Sequence, residues 1–131
     1  MAPIDPTALI TISESSTVDF IGVDHRLTLR FSGREVVTIE TDFFLLRHGD
    51  PEQRFDPDGD KKTLGEFLDL FGRTVTSVLI VDGELQIKFD NHLLLRVPPS
   101  DDYEAWSYSG AEKPPTKIIS MPGGELAIWS S

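Results

Sequence analysis

Apolar and polar residues alternate with a period of two along much of the chain. The cleanest runs are Arg26-Leu27-Thr28-Leu29-Arg30-Phe31 and Glu84-Leu85-Gln86-Ile87-Lys88-Phe89. Each is the pattern of a strand with one buried face. Turn residues punctuate the runs. Asp82-Gly83 separates residues 76–81 from 84–89 and suits a two-residue hairpin turn, because glycine tolerates positive φ. Ser32-Gly33 and Asp90-Asn91 mark the next turns, which lead into strands over 35–40 and 92–97. A further strand is expected over 42–46.

The two alternating stretches read as one unit used twice. Sliding the chain by 58 positions lays Val23, Asp24, Leu27 and Phe31 on Val81, Asp82, Leu85 and Phe89 unchanged. Alternation by itself forces apolar residues to coincide, so chance similarity stands beside duplication. Either way the pattern predicts two three-stranded meanders.

Between them, residues 47–60 have loop composition, rich in Gly, Pro and Asp. A short α-helix is expected after this loop, over about 64–71. Thr63 is placed to cap it with Glu66 as capping-box partner, Leu64, Phe67, Leu68 and Phe71 form one apolar face, and Gly72 ends it. Lys117–Met121 and residues 125–129 flank Pro122-Gly123-Gly124 as a last hairpin. The expected fold is therefore mainly β: a curved antiparallel sheet or small barrel built from two β-meanders with one short helix. It is read as one domain over 1–131, with a meander over 18–46, loop and helix over 47–72, a meander over 74–97 and C-terminal strands over 103–129. A closed or curled sheet would hide edges that otherwise invite aggregation.

Length and composition agree with one globular domain. The chain has 131 residues, with 22 Asp and Glu against 12 Lys and Arg, a formal charge of −10, and no Cys. The lack of Cys excludes disulfides and thiolate metal sites. The negative excess argues against nucleic acid, whose phosphates need cations, and against an anionic membrane surface. There is no apolar run long enough to span a bilayer. The N-terminal stretch carries no Lys or Arg before its short apolar segment, unlike a secretory signal, so a cytoplasmic location is expected.

Few residues point to catalysis. Arg47-His48-Gly49 resembles the Arg-His-Gly signature of the histidine phosphatase superfamily, which implies a phosphorylated histidine. That family sets the motif after the first strand of a longer parallel α/β domain. Here it follows antiparallel-type strands, and His92 is the only later His; no phosphatase activity is expected. Asp56-Pro57-Asp58-Gly59-Asp60 alternates carboxylates like a calcium loop but lacks Gly at the sixth position and Glu at the twelfth. His25, His48 and His92 show no metal-ligand spacing. Neither a nucleophile elbow nor a phosphate-binding glycine loop is present. No catalytic residue, metal or cofactor is assigned.

The tail holds both tryptophans, in Tyr103-Glu104-Ala105-Trp106 and in Pro122-Gly123-Gly124-Glu125-Leu126-Ala127-Ile128-Trp129. These motifs, with the hairpin strand before them, resemble a small bacterial family of acidic single-domain β proteins of unknown function. The resemblance implies no activity or cofactor. In size, acidity and β-rich layout the chain is also loosely similar to immunity proteins of bacterial toxin systems.

Two functional readings follow. The first is a non-catalytic protein-binding domain, of the kind an immunity-type inhibitor would be. Carboxylates cluster at Glu40, Asp42, Asp50, Glu52, Asp56, Asp58 and Asp60, and again at Asp101, Asp102 and Glu104. Such clusters steer a basic partner, with Asp50, Glu52, Asp56, Asp58 and Asp60 as the expected contacts. The second is a small-molecule-binding barrel or small enzyme whose pocket is lined by Tyr103, Glu104, Trp106, Glu125 and Trp129.

Overall fold

A computed structural model describes residues 5–129, with only the backbone described at Thr63 and Leu64. The period-two runs form strands. The first meander is β1 (Val18–Val23), β2 (Leu27–Phe31) and β3 (Val36–Ile39), followed by β4 (Phe43–Leu46) and β5 (Gln53–Phe55). The second is β6 (Val75–Val81), β7 (Glu84–Phe89) and β8 (Leu93–Val97), followed by β9 (Trp106–Ser109), β10 (Lys117–Ser120) and β11 (Leu126–Trp129).

The strands make two curved antiparallel sheets and no closed barrel. Their orders are β1-β2-β3-β9-β10-β11 and β5-β4-β8-β7-β6. The strand after each meander crosses to the other sheet: β4 pairs with β8, and β9 pairs with β3. The meander expected over 18–46 therefore ends at β3. Alternation cannot reveal this, because a strand with one buried face fits either sheet of a shared core.

The two halves are structural repeats. In β1 the register slips between Val18 and Phe20, and in β6 between Val75 and Ser77. These are matching bulges. Leu27 then pairs with Val23 and Ile39, while Leu85 pairs with Ile80 and Val97. Thus β2 and β3 match β7 and β8 at a spacing of 58, whereas β1 matches β6 at 57. The second repeat takes up the extra residue in its hairpin turn. Thr17 and Thr74 meet in an isolated antiparallel bridge. Ser32 N–H donates to Thr17 O at 2.8 Å, and Ser32 Oγ accepts from Thr17 N–H at 3.0 Å. Asp90 does the same to Thr74, at 2.9 and 3.2 Å. Alternation alone does not generate matching bulges and matching side-chain caps.

Inward residues of both sheets form one core. Leu27, Leu29 and Phe31 join Leu85, Ile87 and Phe89, all at most 2% exposed. Trp106, Tyr108 and Phe43 are among its other large members. The N-terminal segment straps across this core. Thr7 Oγ1 accepts from Ile80 N–H on the β6 edge at 2.9 Å, and Tyr108 Oη accepts from Thr11 N–H at 2.9 Å. Burial pushes the Tyr108 phenol above its usual range, against the pull of these Thr11 hydrogen bonds.

The expected α-helix is instead a run of 3₁₀ turns over Lys61–Leu70. Its cap is Asp60, whose carboxylate accepts from Lys62 N–H at 3.0 Å. The capping role expected of Thr63 and the packing of Leu64 fall on side chains outside the described residues. Gly65 near the centre weakens an α-helix. At three residues per turn, i and i+3 line up. Phe67 and Leu70 are accordingly buried, whereas Leu68 and Phe71, expected on the inner face, are 54% and 61% exposed. Phe67 meets Phe43 edge-on at 5.2 Å, and Phe43 stacks on Phe55 at 5.3 Å. The segment thus plugs the sheet beside β4 and β5, and Gly72 ends it at φ +79°.

Candidate functional site

The two crossing connections, 40–42 and 98–105, run from one sheet to the other. Pro98-Pro99 keeps the second of them extended as β8 ends. An open groove of 810 Å³ lies against both connections. His25 from the β1–β2 turn borders it, and Asp56 and Asp58 reach it from the loop after β5. Glu40, Asp42, Asp102 and Tyr103 supply the rest of its polar and aromatic lining.

Among the described residues, five carboxylates and the Tyr103 ring line this one groove. Asp42 is held by the Arg54 guanidinium. Asp56 Oδ1 accepts from Asp58 N–H at 2.9 Å, which fixes the turn and points the loop. Among the described residues, Glu40, Asp56, Asp58 and Asp102 make no ion pair with Lys or Arg. Tyr103 is 69% exposed. Next to the rim, Asp24 Oδ1 accepts from Arg26 N–H at 2.8 Å. That backbone bond holds the Asp24 carboxyl below its usual range, with the charges of His25, Arg26 and Lys61 adding to it.

Of the five loop carboxylates expected as contacts, the structure brings only Asp56 and Asp58 into this groove. Asp50 lies by Arg47 and His48, bordering a different cavity. Glu52 pairs with Arg96 at 3.0 Å, in a cluster where Arg96 also meets Glu84 at 2.5 Å and covers the Phe44 ring at 4.5 Å. Those carboxylates, Glu52 first, hold the guanidinium charged above its usual range. Asp60 is taken up as a helix cap. No group of three or more His, Cys, Asp or Glu among the described residues is arranged to hold a metal ion.

The five tail residues do not share a pocket among the described residues. Trp106 pairs with Ile39 on the inner face and is fully buried, and its indole N–H donates to Gly83 O at 3.1 Å. Trp129 pairs with Lys117, one residue out of phase with the buried Ile118, so it stands on the outer face of the same sheet. Glu104 and Glu125 are exposed. Only Tyr103 reaches the groove. Sequence reading named Glu40, Asp42 and Asp102 as acidic but could not join them, since the join depends on which sheet each crossing strand enters. His25 and the Pro98–Ser100 segment carried no functional signal beyond turn and breaker chemistry.

A model of a family of unknown function, DUF6188, matches residues 10–130. The chain belongs to this DUF6188 family. The matched span takes in both repeats, both crossing connections and the whole groove. No curated protein and no solved structure matches the chain. The DUF6188 match brings no activity, so the chemistry of the groove has to be argued from its residues.

Proposed function

We propose that the chain is a non-catalytic protein-binding domain whose acidic groove takes a basic segment of another protein, as an immunity-type inhibitor would. The observation that carries this reading is that Glu40, Asp56, Asp58 and Asp102, none paired with Lys or Arg among the described residues, line one groove together with the exposed Tyr103. A lysine or arginine side chain satisfies both features. Its charge complements the carboxylates, and its stem or guanidinium packs on the phenol face. Ten net negative charges steer such a partner from a distance. The groove adds shape to that field, which a merely solubilising charge would not need.

A Lys- and Arg-rich peptide tests it, followed by amide chemical shifts. Shifts should concentrate at 40–42, 56–58 and 102–103. Asp58→Lys with Asp102→Lys should weaken binding by roughly tenfold or more and flatten its salt dependence. Tyr103→Ala should weaken binding without changing the salt slope. Shifts spread evenly over all acidic residues would mean that the net charge attracts the peptide and the groove does not.

A further inference from the structure

At the other end of the sheets lies a second concavity, of 410 Å³. The end of β4 supplies Arg47 and His48, β7 supplies Lys88, and the β7–β8 turn supplies His92. The two imidazoles come from separate parts of the chain and are brought to 5.3 Å between ring centroids, tilted by 43°. In a chain of net charge −10, this pocket gathers four nitrogen-bearing side chains against a single lining carboxylate, Asp50. Arg47 is 29% exposed and oriented by Asp69 at 3.1 Å. Lys88 makes no ion pair among the described residues. Leu46 and Leu94 give the pocket an apolar floor.

The backbone bears on the same place. Asn91 and His92 both sit in the left-handed region, at φ +60° and +57°. A tight hairpin turn wants glycine at the second of these positions. Histidine there costs about 1 kcal/mol or more of backbone strain. Arg34 takes the same left-handed conformation, at φ +74°, at the matching position of the first repeat, so the conformation belongs to the turn, and the turn places the imidazole at the pocket. Facing it, Gly49 at φ +81° has open space where a side chain would stand, so a ligand can approach the backbone beside His48.

We infer that this pocket binds a small organic phosphomonoester, with the phosphate between His48, His92 and Lys88 and the organic body on Leu46 and Leu94. A phosphate dianion offers only acceptors, and imidazole N–H, ammonium and guanidinium groups offer donors. The positive charges of Lys88 and Arg47 disfavour a metal dication at the same point. The volume exceeds what a bare phosphate fills and lies in the range of small-ligand pockets, roughly 300–1,000 Å³. The inference concerns binding alone and involves no phosphoryl transfer.

The experiment follows the His48 and His92 imidazole and Lys88 ammonium signals by NMR, titrating with phenyl phosphate, inorganic phosphate and phenol. Phenyl phosphate should move all three along one saturating curve and bind roughly tenfold tighter than inorganic phosphate, from burial of its ring. Lys88→Gln should weaken it by about tenfold, as loss of a charge-assisted hydrogen bond does. Asp50→Asn should tighten it, because the opposing charge is gone, whereas a metal site would be weakened by that change. Both substituted positions are exposed, so the variants should fold. Imidazole signals that stay still with phenyl phosphate, or move equally with phenol, would overturn the inference. So would equal affinity for inorganic and phenyl phosphate, or an Asp50→Asn variant that binds more weakly.

Discussion

In the first repeat the β1–β2 turn, Asp24-His25-Arg26, borders an open groove. In the second repeat the matching β6–β7 turn, Asp82-Gly83, is packed over. A Cβ on Gly83 would stand 2.7 Å from Gly124 O in the β10–β11 turn. Trp106 donates to Gly83 O from below. Continuing the β4–β8 register by one residue matches Trp106 to Phe43, which has no polar hydrogen to donate and stacks on Phe55 and Phe67 instead. The difference traces to β11, which has no counterpart in the first repeat. Its hairpin fills at one turn the space that stays open at the other. The buried faces of the repeats are alike because one core demands the same pattern of both. Their turns diverge according to what packs on them, and the acidic groove occupies the uncovered side.

The likeness is tested first, where the largest effect is expected. Phe31 and Phe89 are matched and essentially fully buried. Phe31→Ala and Phe89→Ala should each cost about 3–5 kcal/mol in chemical denaturation, the range for emptying a packed aromatic site. If one costs less than about 1 kcal/mol, the two meanders do not share the core as equals.

The contrast between the turns is tested next. Gly83→Ala combines positive φ, at +80°, with a clash against backbone. It should cost about 2 kcal/mol or more, since the atoms it would meet are backbone of Gly124 and no flexible side chain there could move aside. His25→Ala, at the matching turn, should change stability by no more than about 0.5 kcal/mol, as for an exposed side chain that makes no hydrogen bond among the described residues. A tolerant Gly83 would show that the β10–β11 hairpin does not cover the second turn.

Much of this fold was legible from alternation and turn residues. Asp82-Gly83 takes positive φ at both positions, 51° and 80°, as a two-residue hairpin turn requires. Leu27, Leu29 and Phe31 and their counterparts are buried as their spacing demands. The crossing of β4 and β9 was not legible, because pairing partners are chosen by three-dimensional packing and not by local period. The helix was misjudged for a related reason. Leu64, Phe67, Leu68 and Phe71 fit an α spacing, and only the packing of the folded chain shows that Phe67 and Leu70 point inward while Leu68 and Phe71 do not. The groove suffered most: its carboxylates were visible as charges, but Asp102 lies more than forty residues from Asp58, and only the exchange of strands brings them together.

A smaller loss than that of Gly83→Ala is expected at the bridge between the repeats. Ser32 and Asp90 occupy matching positions, and each accepts a hydrogen bond from the backbone N–H of its own threonine, Thr17 or Thr74. Those threonines face each other in the isolated bridge. Ser32 also shares a hydroxyl contact with the buried Ser16 at 3.0 Å. Asp90 brings a formal charge, which strengthens an accepted hydrogen bond but is screened where the group is exposed. The two advantages offset each other, so Ser32→Ala and Asp90→Ala should each cost about 1 kcal/mol, the usual worth of one such bond. Because the two caps act on neighbouring strands of one bridge, the double variant should depart from additivity. Amide exchange at Thr17 and Thr74 provides the sharper readout, since each single variant should speed exchange at both threonines. Acceleration confined to the threonine next to the substituted residue would mean that the bridge does not couple the repeats.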